Sequence, residues 1–225
     1  MITKLDPSVH TEGQGVEETR TRLAESLATS REALGQLVLP AVLLHRFAHR
    51  HACAGKLWRS VLAERHARRI GALGVSATTP EEAWTALEDP DIEILQVAAS
   101  LLDLRLFRQG FFPRARELGR TVYVRSAFLQ GVAHLEPHAL PNTPADLREP
   151  LRRIHATAEE LGVPPRALFL AFARECLPDA HLSMLVAALP TLEAESVDPS
   201  RWPALRPCKE PVNQTTRGSI ATIPS

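Results

Sequence analysis

The sequence predicts an α/β fold organised around a parallel sheet. Short apolar runs recur at residues 37–44, 71–76, 92–98 and 121–127, and each stops in a polar or small residue. Segments with helical spacing of apolar positions stand between most of them. Runs that are apolar throughout, rather than alternating, suit strands buried on both faces, as in parallel sheets with helical crossovers. In such sheets the C-terminal strand ends carry the chemistry.

Each element has its own signal. Residues 1–5 open with an apolar pair and reach Lys4 at once, and 6–15 is a polar, Gly- and Pro-containing loop. Over 16–34, Val16, Leu23, Leu27 and Leu34 share a helix face, with Glu17 and Glu18 in the first turn and Gly35 as the stop. The run 37–44 reads as a buried strand ending beside His45, with Pro40 as a defect because it lacks a ladder donor. A His-rich loop, 47–55, leads to a helix over 56–70. The strand 71–76 is followed by Thr79-Pro80-Glu81-Glu82, a helix start with a capping box, running to about 88. A strand over 92–99, a helix over 104–118 and a strand over 121–127 come next. Helices over 144–161 and 164–176 are separated by Gly162. An apolar run at 182–188 reads as a sixth strand. Residues 1–207 form the predicted domain, and 208–225 is a polar tail without a period, predicted to be disordered.

Composition excludes several classes. The chain has 225 residues, net charge zero and 44% hydrophobic residues. A neutral balance does not suit nucleic acid or an anionic membrane surface as partner. Three widely spaced cysteines, Cys53, Cys176 and Cys208, do not make a disulfide framework, and they fit a reducing cytoplasm. The N-terminus lacks a signal-peptide apolar region, and no apolar run approaches the ~20 residues of a membrane span.

From Gly74 to Gly131 the chain resembles the aldo/keto reductases. The resemblance rests on Gly74-Val75-Ser76, Leu95-Gln96-Val97, Leu101-Leu102-Asp103 and Arg125-Ser126-Ala127-Phe128-Leu129-Gln130-Gly131, in that family's order and spacing. It extends over roughly residues 1–190, with a patchy return at 198–203. It implies a partial (β/α)8 TIM barrel of about six parallel strands. Laid against the family, Met1 falls at the start of the third barrel strand, so the first two βα units are expected to be missing. A complete barrel takes roughly 250 residues, and this chain is short for one.

The resemblance also implies chemistry: carbonyl reduction with a nicotinamide dinucleotide, NADP or NAD, held across the C-terminal mouth. Lys4 and His45 fall where the family's catalytic Lys and His end their strands. Ser76 and Gln96 match the polar residues that hold the nicotinamide carboxamide. Arg125, Ser126, Phe128, Leu129, Gln130 and Gly131 match the stretch that lies against the pyrophosphate. No residue maps to the family's catalytic Tyr or Asp; Tyr123, the one tyrosine, sits mid-strand. Residues 185–190 stand where the family's phosphate-binding run would be and offer no Gly, Ser, Arg or Lys.

Two functions follow as expectations. The first is a reductase for an aldehyde, ketone or sugar-type carbonyl, impaired by the missing Tyr and Asp. The second is a non-redox barrel remnant acting in binding or assembly. Arg125 and Arg120 are candidates for an anionic substrate or the pyrophosphate, with an ion pair to Asp103 or Glu93 as an equally good account. His45, His49, His51 and Cys53 match no metal-ligand spacing, and an exposed basic loop is the expectation there, with no metal. The open edges of a six-stranded barrel predict a homodimer across the gap, a covering segment or poor solubility.

Overall fold

The computed structural model describes residues 1–11, 13–129, 145–175, 177 and 180–182. Six parallel strands form one sheet in chain order: β1 (Thr3–Lys4), β2 (Leu39–Leu44), β3 (Ile70–Ser76), β4 (Ile94–Ala98), β5 (Thr121–Arg125) and β6 (Ala180–Leu182). Between them run α1 (Val16–Leu34), α2 (Lys56–His66), α3 (Pro80–Leu87), α4 (Arg105–Arg108), α5 (Phe111–Glu117), α6 (Ala145–Leu161) and α7 (Pro165–Glu175). The three apolar runs that carry the motifs are neighbours: β3 pairs with β4, and β4 with β5.

Strand order equal to chain order means every crossover steps the same way. Right-handed crossovers then put all the helices on one face. The strand residues divide by parity in agreement with this. Val42, Leu44, Leu73, Val75, Leu95, Val97, Val122 and Val124 join the large core shared with helix residues such as Leu23, Val61, Leu87 and Phe169. Ala41, Leu43 and Ile94, with Ile2, Ala72 and Tyr123, form a second, smaller cluster on the other face. That face is concave. Lys4 on β1 hydrogen-bonds Gln96 on β4. In a flat sheet strands three places apart are separated by roughly 14 Å, at ~4.8 Å per strand. Side chains standing upright on a flat sheet would not meet across that gap, so the sheet is rolled toward this face as a barrel wall is.

Pro40 is accommodated by topology. Leu39 donates its N–H toward β3, to Arg69 O at 3.0 Å. The nitrogen of Pro40 therefore faces the β1 side, and β1 pairs only with Val42 and Leu43. The missing donor falls where no strand needs it.

Several boundaries differ from expectation, each for a local reason. The helix expected over 104–118 is two short helices. Gly110 takes a left-handed φ of 74°, and Pro113 would set its ring against the carbonyl of residue 109 in a continuous helix. The helix expected to run to 70 ends at His66, because Arg68 turns left-handed (φ 57°) and Ile70 already opens β3. Val16 begins α1 but stays 37% exposed, outside the buried face of Thr19, Leu23 and Leu27. The sixth strand is Ala180–Leu182; residues 183–188 of the run expected to form it, and the tail 208–225, lie outside the described residues.

Candidate active site at the C-terminal rim of the sheet

Because all strands are parallel, their C-terminal ends share one rim. Lys4 is the last residue of β1, His45 follows β2, Ser76 ends β3 and Arg125 ends β5. Gln96 sits in β4 in register with Ser76. Parity along each strand puts Lys4, Ser76, Gln96 and Arg125 on the concave face, above the small apolar floor of Leu43, Ile94 and Tyr123.

At the centre, Gln96 Oε1 accepts two donors: the Lys4 ammonium, and Ser76 Oγ at 3.2 Å. Ser76 and Gln96 are buried, at 4% and 7% exposure. Gly74, one concave-face position below Ser76, makes this closeness possible: a Cβ there would collide with the Ile94 carbonyl oxygen and sit 2.8 Å from Ile94 Cβ. Only glycine lets β3 approach β4 so closely.

The rim is electropositive. Burial, and then the positive charge of Arg125, hold the Lys4 ammonium below its ordinary pKa. Burial also lowers His45, followed by the charges of Lys4 and Arg46; Asp6 opposes them and Arg125 adds to them. These mutual effects place Lys4, His45 and Arg125 within one another's fields. Asp6, the nearest acid in this set, is fully exposed and spends its carboxylate on Ser8, accepting from its N at 2.7 Å and its Oγ at 2.5 Å. Lys4 makes no ion pair among the described residues.

Arg125 donates to Ala77 O at 3.2 Å and to Ser126 Oγ at 3.4 Å. Its Nε is buried and has no partner among the described residues. Neither expected ion pair forms: Asp103 is held by Arg105 at 2.8 Å, and Glu93 by Arg65 at 2.9 Å. Arg120 does not join the rim. It precedes β5, at the opposite end, and donates to Asp89 O at 3.1 Å.

Past β5, Ser126 (φ 60°) and Leu129 (φ 46°) are left-handed, and Leu129 N donates to Ser126 O at 2.8 Å. The two left-handed residues close a turn directly after β5. Phe128 leans on Phe169 of α7, ring centroids 6.4 Å apart, and so ties the turn to the helix layer. Gln130 and Gly131 lie outside the described residues.

The His-rich loop is exposed at Arg46 and His51, as expected of a basic loop, but not throughout. Phe47–His51 forms a 3-10 turn that buries His49 to 5% exposure. Cys53 Sγ lies 3.8 Å from His10 Nδ1 and 3.6 Å from Thr19 Oγ1. His10, from the N-terminal loop, had no local signal linking it to this loop. Among the described residues no group of three His, Cys, Asp or Glu is arranged to hold a metal ion, and no helix is long and apolar enough to cross a membrane.

No family profile and no curated protein sequence matches the chain. Solved structures do. An aldo-keto reductase of Bacillus halodurans in its holo form superposes with a TM-score of 0.57 at 19% identity, over 81% of this chain and 60% of that one. The glycerol dehydrogenase of Gluconobacter oxydans gives 0.53 at 16%, over 72% and 55%. An aldo/keto reductase of Brucella melitensis gives 0.51 at 15%, over 82% and 61%. The chain spans 55–61% of the length of these relatives. With six parallel strands in sequential order and the polar rim on their C-terminal ends, the chain has the aldo/keto reductase fold, as part of its α/β barrel.

Proposed function

We propose that the chain is a carbonyl-reducing oxidoreductase of the aldo/keto reductase type, working with NADP or NAD on an aldehyde, ketone or sugar-type carbonyl. The observation that carries this is the meeting of Lys4, Ser76 and Gln96, with His45 beside them, at the concave rim. The buried Ser76–Gln96 pair offers a hydroxyl and an amide, chemistry that fits the primary carboxamide of a nicotinamide. When bound, that cofactor supplies a hydride to the carbonyl carbon.

The chain's own residues supply the rest. The chain's one tyrosine, Tyr123, lies mid-strand with the apolar floor, so in this reading the proton for the developing alkoxide comes from Lys4 or His45. A lowered pKa makes the Lys4 ammonium a readier donor than an ordinary lysine. The apolar floor keeps water from beneath the reacting carbonyl.

The absence of a carboxylate partner for Lys4 among the described residues favours a second reading, in which the rim binds cofactor or ligand without turnover. One experiment separates the two. NADPH and NADH are titrated by fluorescence enhancement, and single-turnover oxidation with short aldehydes is then followed. The reductase reading expects binding, slow turnover, and a loss of about 10²–10⁴-fold in turnover for Lys4→Met with cofactor binding retained. Binding without turnover favours the second reading. Failure of both cofactors to bind near 1 mM, about −4 kcal/mol, would overturn the first.

A further inference from the structure

The rim gathers three basic groups on one side of the sheet, and among the described residues no carboxylate pairs with Lys4 or Arg125; Asp6, the acid whose charge reaches His45, is turned to Ser8. Lys4 donates to an uncharged amide oxygen. Arg125 donates to a backbone carbonyl and a hydroxyl, both uncharged, which leaves the rest of its five N–H groups, the buried Nε included, without an acid among the described residues. His45 adds a third basic group when protonated. Asp103, on the segment that follows β4, is bound to Arg105. Bringing like charges together in a half-buried site is costly unless an anion completes it.

We infer that the rim is an anion subsite for the substrate, built by Arg125, Lys4 and His45, and that it selects carbonyl compounds bearing a carboxylate next to the carbonyl: short 2-oxo acids. This deepens the reductase reading and rests on it for the chemical step. The position argues for the substrate's carboxylate over a phosphate of the cofactor. The field of Arg125 falls on Lys4 and His45, the pair placed at the reacting carbonyl. A planar guanidinium suits a carboxylate through its paired N–H groups.

The same contact loads the proton donor. An anion beside Lys4 offsets the repulsion from Arg125 and moves the Lys4 pKa back up toward the ordinary lysine value. In the step itself, hydride from the reduced nicotinamide adds to C2 and the C=O π bond breaks. The oxygen takes a proton from the Lys4 ammonium, giving the 2-hydroxy acid, oxidised nicotinamide and a neutral lysine that solvent reprotonates.

Calorimetric titration of the full chain at pH 7 with pyruvate, uncharged hydroxyacetone and inorganic phosphate tests this, with NADPH binding followed separately. Pyruvate is expected to bind at least about tenfold tighter than hydroxyacetone. Arg125→Gln erases that preference, Arg125→Lys keeps part of it, and Arg120→Gln, at the other end of β5, leaves it intact. The chain has three lysines, Lys4, Lys56 and Lys209, so the Lys4 side chain is resolvable by ¹⁵N-lysine NMR. Its titration moves upward when pyruvate saturates, a readout that survives if Arg125→Gln does not fold. Equal affinity for pyruvate and hydroxyacetone, a preference that persists in Arg125→Gln, or an unmoved Lys4 titration each overturns the subsite. Phosphate binding that NADPH displaces and pyruvate does not overturns it too, and assigns the guanidinium to the cofactor. If NADPH does not bind but the pyruvate preference stands, the reductase reading falls and the anion subsite remains.

Discussion

Gly74 bears on the site more than any other residue that carries no chemistry of its own. Its missing side chain lets β3 lie against Ile94, and that approach sets Ser76 Oγ at 3.2 Å from Gln96. Gly74→Ala must push the two strands apart in a rigid part of the core. The expected cost is about 1–3 kcal/mol of stability, measured by urea unfolding. The Ser76–Gln96 hydrogen bond should weaken with it, and under the reductase reading proposed above NADPH affinity falls too. Much of this rim was legible residue by residue. Lys4, His45, Ser76, Gln96 and Arg125 each stand at or near the end of an apolar run, which is a local feature, while the roles expected of them came from the resemblance to the aldo/keto reductases. Their mutual contacts were not legible. Lys4 and Gln96 are 92 positions apart, and no spacing rule reaches across three strands. The isolation of Arg125 from Asp103 was equally hidden, since it depends on Arg105 competing from the next helix.

At the scale of elements, legibility follows where the signals sit. α1 spans the expected residues because Glu17, Glu18 and Gly35 punctuate both its ends, and Gly35 closes it in the left-handed region. α3 is set by its own first turn. Thr79 Oγ1 accepts from Glu82 N at 3.3 Å, and the Glu82 carboxylate reaches back to Thr79 N. Thr79→Ala should cost about 1 kcal/mol, read as a lower melting temperature with α3 the first helix to lose amide protection. Elements without such punctuation were misread. Leu104 to Leu118 has helical periodicity, which hides the break that Gly110 and Pro113 impose. The sixth strand pairs through its backbone at Ala180–Leu182, before most of the apolar run used to locate it, because ladder bonds do not require apolar side chains.

For the whole molecule, titrating groups set the response to acid. His45 and His49 both have pKa values lowered mainly by burial. The unfolded chain therefore takes up protons on them first as pH falls below about 6.5, and stability drops through that window. Asp103 and Glu64 are held low chiefly by hydrogen bonds from Arg105 and Arg69. Their contribution is present above about pH 4 and is lost as pH falls toward the depressed values. Unfolding free energy measured between pH 8 and pH 3 should thus fall in two stages, and His49→Gln should flatten the first. A single stage confined to the carboxylate range would contradict this account.

The bridge from Lys4 to Gln96 joins strands three places apart, so it holds only while the wall between them keeps its bend. Any loosening that lets β1 swing outward lifts the ammonium from its amide and draws it away from the guanidinium. The acidity of the Lys4 ammonium is thereby geared to the tightness of the curl, and a distant change that relaxes the curvature would let its pKa rise toward the ordinary value without touching it.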